Sequence, residues 1–408
     1  MFRLYYLSIF FLFIYSAWAQ DQQTVINKMK QEVMYLASDN LKGRETGTNT
    51  EKMAADFIIS KFLEYDLIEK GSEGYYQYFE TSVREHPHSN NRKKINGVNV
   101  VGYIDNNTNE TVVIGAHYDH LGYGKFGSLY SGEYTIHNGA DDNASGVSIL
   151  INLIPFLKQV TNYNFLFIAF SGEEHGLLGS SYYVKNPTIN LETVRYMLNF
   201  DMVGRLNKDE KLVINGIGTS PQWKKLLNKS NTLEFDLKFT ESGMGASDHT
   251  SFYLQDIPVI HFFTGQHEDY HKPSDDADKI NYEGMYKIMK YTKSIIENSV
   301  SINNFDFQET ASDSLSVPNF KVTLGIMPDY LFDGKGVRID GVSKNKTAFK
   351  FGILKGDIIM KMGDIKITDM MSYMKALGEF EKGDTTNIVV HRQGELTWKY
   401  ETIEVIFQ

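Results

Sequence analysis

The stretch Thr111-Val112-Val113-Ile114-Gly115-Ala116-His117-Tyr118-Asp119-His120 opens with four β-branched residues and closes on a cluster of ionisable ones. A short apolar run without polar alternation is the pattern of a strand covered on both faces, and such strands sit in sheets packed between helices. The same grammar recurs along the chain. Asn164–Phe170 (NFLFIAF) runs into Ser-Gly-Glu173-Glu174-His175, Val194–Phe200 runs into Asp201, and Ile257–Phe263 leads to His267–Asp276. Val98–Ile104 and Lys211–Ile214 supply two further strands. Helical periodicity marks Gln22–Leu41, Glu51–Tyr65, Ala144–Gln159, His175–Lys185, Pro221–Lys229 and Ala277–Val300. Strands alternating with helices define an α/β layer structure with a buried sheet, whose sites form beyond the carboxyl ends of the strands.

Composition narrows what such a site can do. The 408 residues contain no cysteine, which excludes disulfides, thiolate metal sites and thiol nucleophiles. With 41 basic and 51 acidic side chains, the net charge of −10 provides no basic field for nucleic acid. The first nineteen residues carry Arg3, an apolar stretch Leu4–Trp18 and the small-residue pattern Ala17-Trp18-Ala19. That layout predicts a cleavable secretory signal, cut before Gln20, and hence a secreted or periplasmic protein without a membrane span after cleavage. Residues 20–302 then form the large domain. Asn303–Pro318 is rich in Asn, Asp, Ser and Thr without periodicity and reads as a linker. Residues 319–408 form a small β-rich domain with one helix at Met370–Phe380 and strands at Thr385–Arg392 and Thr397–Val405.

Five clusters at strand ends carry candidate chemistry. In an extended segment His117 and Asp119 point to one side, so Asp119 can accept a hydrogen bond from one ring nitrogen while the other binds a metal. In Asn138–Gly146 (NGADDNASG) the adjacent Asp141 and Asp142 cannot aim at one point, so one of them at most is a ligand. Glu173 and Glu174 allow a division of labour, one coordinating and the other free as a general base. Asp201 and His271 complete the set. Nitrogen and oxygen donors without sulfur suit Zn²⁺, with cobalt or manganese as substitutes. Five ligands exceed what one catalytic zinc takes, whereas a bridged pair of ions accounts for all of them. His267-Glu268-Asp269-Tyr270-His271 also matches H-E-x-x-H, but that motif needs a helix, and Gly265 before it and Pro273 after it leave no room for one.

Taken in order, AHYDH, GADDNASG, FSGEEHG, NFDMVG, SDHTSF (Ser247–Phe252) and YHKPSDD resemble the co-catalytic dizinc aminopeptidases, which include secreted leucyl-type aminopeptidases and the core of glutamate carboxypeptidases. The resemblance covers residues 22–300 and implies a three-layer α/β/α exopeptidase fold with a mixed, mostly parallel sheet. It implies that His117 and Asp201 hold one zinc and Glu174 and His271 the other. Asp142 would bridge, its following peptide bond cis. Glu173 would be the general base, Asp119 the partner of His117, and Tyr270 the donor to the tetrahedral oxyanion. Peptides with a free N-terminus would be the substrates. The single-zinc glutaminyl cyclases share this fold but lack the first histidine ligand, which here is present as His117. A catalytically silent peptide-binding protein is the other competing class, and the complete ligand set argues against it.

The C-terminal TLGIMPDY, GVRIDGV and FKFGILKGDIIMKMGDIKITDM segments look like a bacterial PDZ domain. That resemblance implies an extended peptide added as a strand, its C-terminal carboxylate facing the N–H groups of Leu324, Gly325 and Ile326.

Overall fold

The computed structural model describes residues 22–84, 92–310, 322–328, 332, 334–342, 346–368, 370–394 and 397–407. The expected signal at 1–19 and the end of the expected linker lie outside the described residues. Among the described residues, no helix is long and apolar enough to cross a membrane.

In chain order the first unit contains helices α1 (22–36) and α2 (Asn49–Glu64), strands β1 (Ile68–Glu69), β2 (Tyr76–Arg84), β3 (Arg92–Ile104) and β4 (Thr111–His117), helix α3 (Gly146–Leu157) and strand β5 (Asn164–Phe170). It continues with α4 (Leu178–Lys185), β6 (Val194–Phe200), β7 (Lys211–Asn215), α5 (Trp223–Ser230), β8 (Asp236–Thr240), α6 (His249–Tyr253), β9 (Val259–Phe263) and α7 (Tyr282–Ser299). The sheet order is β1-β3-β5-β4-β6-β9-β7-β8, with β2 paired on β3. β5, β4, β6 and β9 run parallel as one central block, whereas β3 and β7 flank it antiparallel. The sheet is therefore mixed and mostly parallel in its centre, as expected.

Every residue of β4, β5, β6 and β9 is buried, which is why these strands read as continuous apolar runs. One face packs on α2, α3 and α7 through Phe62, Ile114, Leu150, Phe167 and Ile295, and the other on α4 and α6 through Ile168, Phe170, Tyr183 and Phe252. Strands β1, β2 and β8 carry no continuous apolar run to mark them. Tyr76–Arg84 mixes polar and apolar residues because it forms a hairpin with the projecting half of β3, held by register rather than by burial on both faces. β8 at the far edge is half-exposed to exposed throughout.

The sequence places the end of the large domain at 302, yet residues 303–310 continue to pack on it. Phe305 lies 4.5 Å from the ring of Trp223 and 4.9 Å from that of Tyr196, and Thr310 N–H donates to the Tyr253 hydroxyl at 3.0 Å. Two aromatic residues inside a polar stretch carry this packing, and periodicity cannot register them.

The C-terminal unit is a second, antiparallel sheet in the order β10 (Ile326–Pro328), β11 (Val337–Val342), β12 (Ile358–Met362), β14 (Thr385–Gln393), β15 (Trp398–Ile406), with β13 (Ile365–Lys366) on β12. Helices α8 (Thr347–Lys350) and α9 (Met370–Gly378) accompany it, and Leu324, Ile339, Ile359, Ile388 and Val390 form its own core.

Candidate metal centre

The strand order reverses around β4, with β5 on one side and β6 on the other, and a crevice opens at the carboxyl ends of parallel strands at such a point. His117 is the last residue of β4, Glu173 and Glu174 follow β5 by three and four positions, and Asp201 directly follows β6. His271 comes from the loop after β9, and Asp142 from the turn that enters α3.

These side chains converge. His117 Nε2 lies 3.2 Å from Asp201 Oδ1 and 3.3 Å from Asp142 Oδ1. His271 Nε2 lies 3.2 Å from Asp142 Oδ2 and 3.1 Å from Glu174 Oε2. The two oxygens of Asp142 thus face two different histidines, the arrangement a bridging carboxylate needs. The donor atoms of His117, Asp142 and Asp201 all lie within 4.8 Å of one another, as do those of His120, Asp142 and Glu174, so each group can hold a metal ion. Nitrogen and oxygen donors in threes and fours fit Zn²⁺. The charge pattern fits a cation as well. Burial opposes a proton on His117, but Asp201 and Glu173 outweigh it and hold its pKa well above the usual range; His271 is raised in the same way by Glu174 and Asp142.

His120 joins the centre from beyond the end of β4. It is buried, and its Nδ1 sits 2.7 Å from Glu174 Oε1, so Glu174 is gripped by His120 on one oxygen and His271 on the other. The signal was present in AHYDH, where His120 follows His117 by three residues, but beyond the strand end no periodicity fixes direction.

The two adjacent glutamates separate in character. Burial pushes the Glu173 carboxyl well above the ordinary carboxylate range; His117 opposes this, while Asp201, Glu174 and Asp248 add to it. Burial acts on Glu174 too, yet His271 and His120 hold it down at about 2. Neighbouring carboxyls pushed apart in this way are suited to different roles, one as a proton carrier and one as a permanent anion.

Asp119 lies beside His117, its main-chain carbonyl nearer the ring than its carboxylate. His117 Nδ1 pairs with the main-chain carbonyl of Asp119 at 3.3 Å, and the Asp119 carboxylate lies 3.7 Å away. That carboxylate also accepts from Thr46 Oγ1 at 3.0 Å and from Glu173 N–H at 3.2 Å, so it braces the general-base candidate. Asp141 points away from the centre: it accepts from Ser145 and from Gly204 N–H, and its Oδ2 lies 3.1 Å from His267 Nε2. The Asp142–Asn143 peptide is cis. Asp275 Oδ2 accepts from the N–H groups of Asp141 and Asp142 at 2.9 and 3.0 Å, and Asn143 donates to Phe200 O at 2.8 Å, which ties this turn to the end of β6. Gly139, at φ +60, lies so close to its neighbours that a Cβ would fall 2.2 Å from Asp142 O. His267–His271 is a run of turns, not a helix, and its two histidines diverge, one to Asp141 and the other to Glu174. Tyr270 stacks on His271 at 3.9 Å between centroids and packs beside Met202, Val213 and Phe263.

In the C-terminal unit Leu324 is buried and its carbonyl accepts from Ala348 N–H at 2.8 Å. Gly325 has φ +72, and its N–H donates to Thr323 Oγ1 at 3.0 Å, while Ile326 begins β10, paired with Val342.

Comparison with known proteins places both units. Residues 99–296 match the model of peptidase family M28, and residues 309–399 match that of the PDZ domain. Residues 99–296 therefore form an M28 peptidase domain, and a PDZ domain follows it. Aminopeptidase YwaD of Bacillus subtilis is 31% identical over 186 residues, 43% of this chain but only 38% of that relative's length. The fold is similar to that of BSAP, a zinc aminopeptidase from Bacillus subtilis, with a TM-score of 0.54 and 18% identity over 71% of this chain and 98% of that one. It is equally similar to Porphyromonas gingivalis glutaminyl cyclase, with a TM-score of 0.55 and 16% identity over 67% and 98%.

Proposed function

We propose that the protein is a metal-dependent exopeptidase that removes N-terminal amino acids from peptides. The observation that carries this reading is the single carboxylate of Asp142 set between two histidine-and-carboxylate clusters, with Glu173 beside them. His117, Asp201 and Asp142 would hold one zinc ion, and Glu174, His271 and Asp142 the second, with His120 fixing Glu174. Divalent ions held there supply Lewis acidity toward a scissile carbonyl and acidify water toward neutrality. Glu173 then accepts the proton of the attacking water on its carboxylate and returns it to the nitrogen of the departing amine. The raised affinity of Glu173 for a proton favours the accepting half of that transfer, and the departing amine, a stronger base, then takes the proton. Tyr270, stacked on His271, would donate its phenol O–H to the oxyanion.

The cyclase alternative rests on fold likeness alone, and the intact His117–Asp201 pair favours hydrolysis over it. In the PDZ domain β10 is an edge strand among the described residues, a position that suits an added C-terminal peptide. Export through the N-terminal segment remains part of this proposal, and sequencing of the mature protein should read from Gln20.

The test is release of amino acids from leucine p-nitroanilide by purified protein, with and without chelator. Activity should disappear with chelator and return with zinc, and a glutaminyl peptide should be shortened rather than cyclised with loss of ammonia. Glu173→Gln should keep its metal while kcat falls by about 10²- to 10⁴-fold. Full activity in that variant would remove Glu173 from its role.

A further inference from the structure

Residues 121–137, between His120 and the Asp142 turn, form a loop with a fixed neck and an apolar tip. At the neck His137 N–H donates to Gly122 O at 2.8 Å, and Gly122 N–H donates to Gly43 O at 3.1 Å. The His137 ring spans the loop, with Nδ1 2.9 Å from Thr135 O and Nε2 2.7 Å from Ser128 Oγ. Gly124, at φ +69, packs so tightly on that ring that a Cβ would lie 2.2 Å from it.

The same loop is tied to the candidate metal ligands. Leu129 N–H donates to His271 O at 3.0 Å, and His271 Nδ1 lies 2.9 Å from Gly127 O. The Phe126 ring lies 5.1 Å from that of His175, the residue after Glu174. The loop therefore runs along the rim of the centre on the side of His271 and Glu174. Four of its large side chains face solvent, whereas Leu121 is buried: Tyr123 and Leu129 are 38% exposed, Tyr130 48% and Tyr134 68%. Such residues are unusually dense here, and clustered exposed apolar side chains beside a cleft mark a binding surface. Tyrosine offers a broad, stiff contact at small entropic cost, which suits recognition of varied chains.

We infer that loop 121–137 recognises the part of a peptide substrate beyond the scissile bond and selects peptides with apolar or aromatic side chains at their second and third positions. The inference rests on the exopeptidase reading. An exopeptidase cleft encloses one residue, so the rest of the chain must leave across its rim, and on the His271 side that rim is this loop. Contacts made there act at a distance from the reacting atoms and raise kcat/KM only for substrates long enough to reach them.

The test compares metal-loaded full-length protein with the Leu129→Ser/Tyr130→Ser/Tyr134→Ser variant on leucinamide, Leu-Phe-Phe-Gly and Leu-Gly-Gly-Gly. Wild type should prefer Leu-Phe-Phe-Gly over Leu-Gly-Gly-Gly by about tenfold or more in kcat/KM. The variant should lose that preference, keep its bound metal and hydrolyse leucinamide within about twofold of wild type. Tyr130→Ser/Tyr134→Ser, confined to the two most exposed rings, should show the same loss in smaller measure if the triple variant folds poorly. An active wild type without the preference, or a variant in which leucinamide and tetrapeptides fall together, would overturn the assignment of the loop. A wild type inert toward all three substrates would instead overturn the exopeptidase reading on which it stands.

Discussion

Arg44 shows how one side chain can set the geometry of a centre it does not enter. Almost fully buried, it donates Nε–H to Tyr118 O at 2.7 Å, Nη1–H to Asn138 O at 2.7 Å and to Leu36 O, and Nη2–H to Gly139 O at 3.0 Å. Tyr118 follows His117, and Gly139 begins the turn that carries Asp142, so the planar fork fastens two ligand-bearing segments to each other. Burial lowers its pKa to about 10, with Asp119 and Asp142 opposing, so it remains a cation next to the carboxylates. Arg44→Lys keeps the charge but cannot span four carbonyls, and Arg44→Met loses both. We expect the Met variant to lose about 3 kcal/mol or more of stability through unsatisfied buried carbonyls. The Lys variant should fold, yet release metal to a chelator about 10- to 100-fold more readily, the usual cost of losing a group that orients ligands. Chelator competition on the folded Lys variant checks this, and unchanged metal affinity would reduce Arg44 to a stability element.

The docking of α1 on α3 illustrates what an element interface costs when it buries a charge. Glu32 on α1, 3% exposed, accepts from Ser148 Oγ at 2.8 Å and from Asn152 Nδ2 at 2.6 Å on α3. Burial raises its pKa to about 7, against the lowering effect of those two bonds. A carboxyl whose folded pKa exceeds its unfolded one binds its proton better in the folded state. Stability is therefore full below the unfolded value near 4.5, declines as pH rises toward 7, and stays low above it. The shift amounts to about 3 kcal/mol. Glu32→Gln should raise the melting temperature at pH 8 and leave it nearly unchanged at pH 4.5, which thermal unfolding at the two values will show. Interfaces of this kind also explain what could be read in advance. β4, β5 and β6 were legible because burial on both faces forces an unbroken apolar run, and the ligands were legible because they sit where such runs stop. β2 was not, since a projecting hairpin needs only register, and neither were the roles of Asp119 and His120, because side-chain direction past a strand end is set by distant partners such as Thr46 and Glu174.

At the scale of the molecule the question is where the peptidase domain stops. Composition sets its boundary at 302, but the chain beyond remains fastened to it: Arg195 donates Nη1–H to Asn303 O at 3.5 Å, Gln308 N–H donates to Thr219 O at 2.8 Å, and Gly243 N–H donates to Thr310 Oγ1 at 3.1 Å. Phe305 is the centre of this attachment, its ring against Trp223 and Tyr196 and the Arg195 guanidinium 5.7 Å from its centroid. Trp223 is fully buried, so removing Phe305 would open a void over a large core side chain. For a half-buried aromatic we expect Phe305→Ala to cost about 2 kcal/mol, below the range for fully buried ones. In a domain of about 290 residues that corresponds to a fall of about 3 °C in its melting temperature. Calorimetry on the full chain can follow the main unfolding transition, and a transition unmoved by Phe305→Ala would return residues 303–310 to the linker. A chain cut after Thr310 should melt with the wild-type peptidase transition, whereas one cut after Ile302 should melt lower than Phe305→Ala, because it loses the ring, the Thr219 contact and the Thr310 pair together.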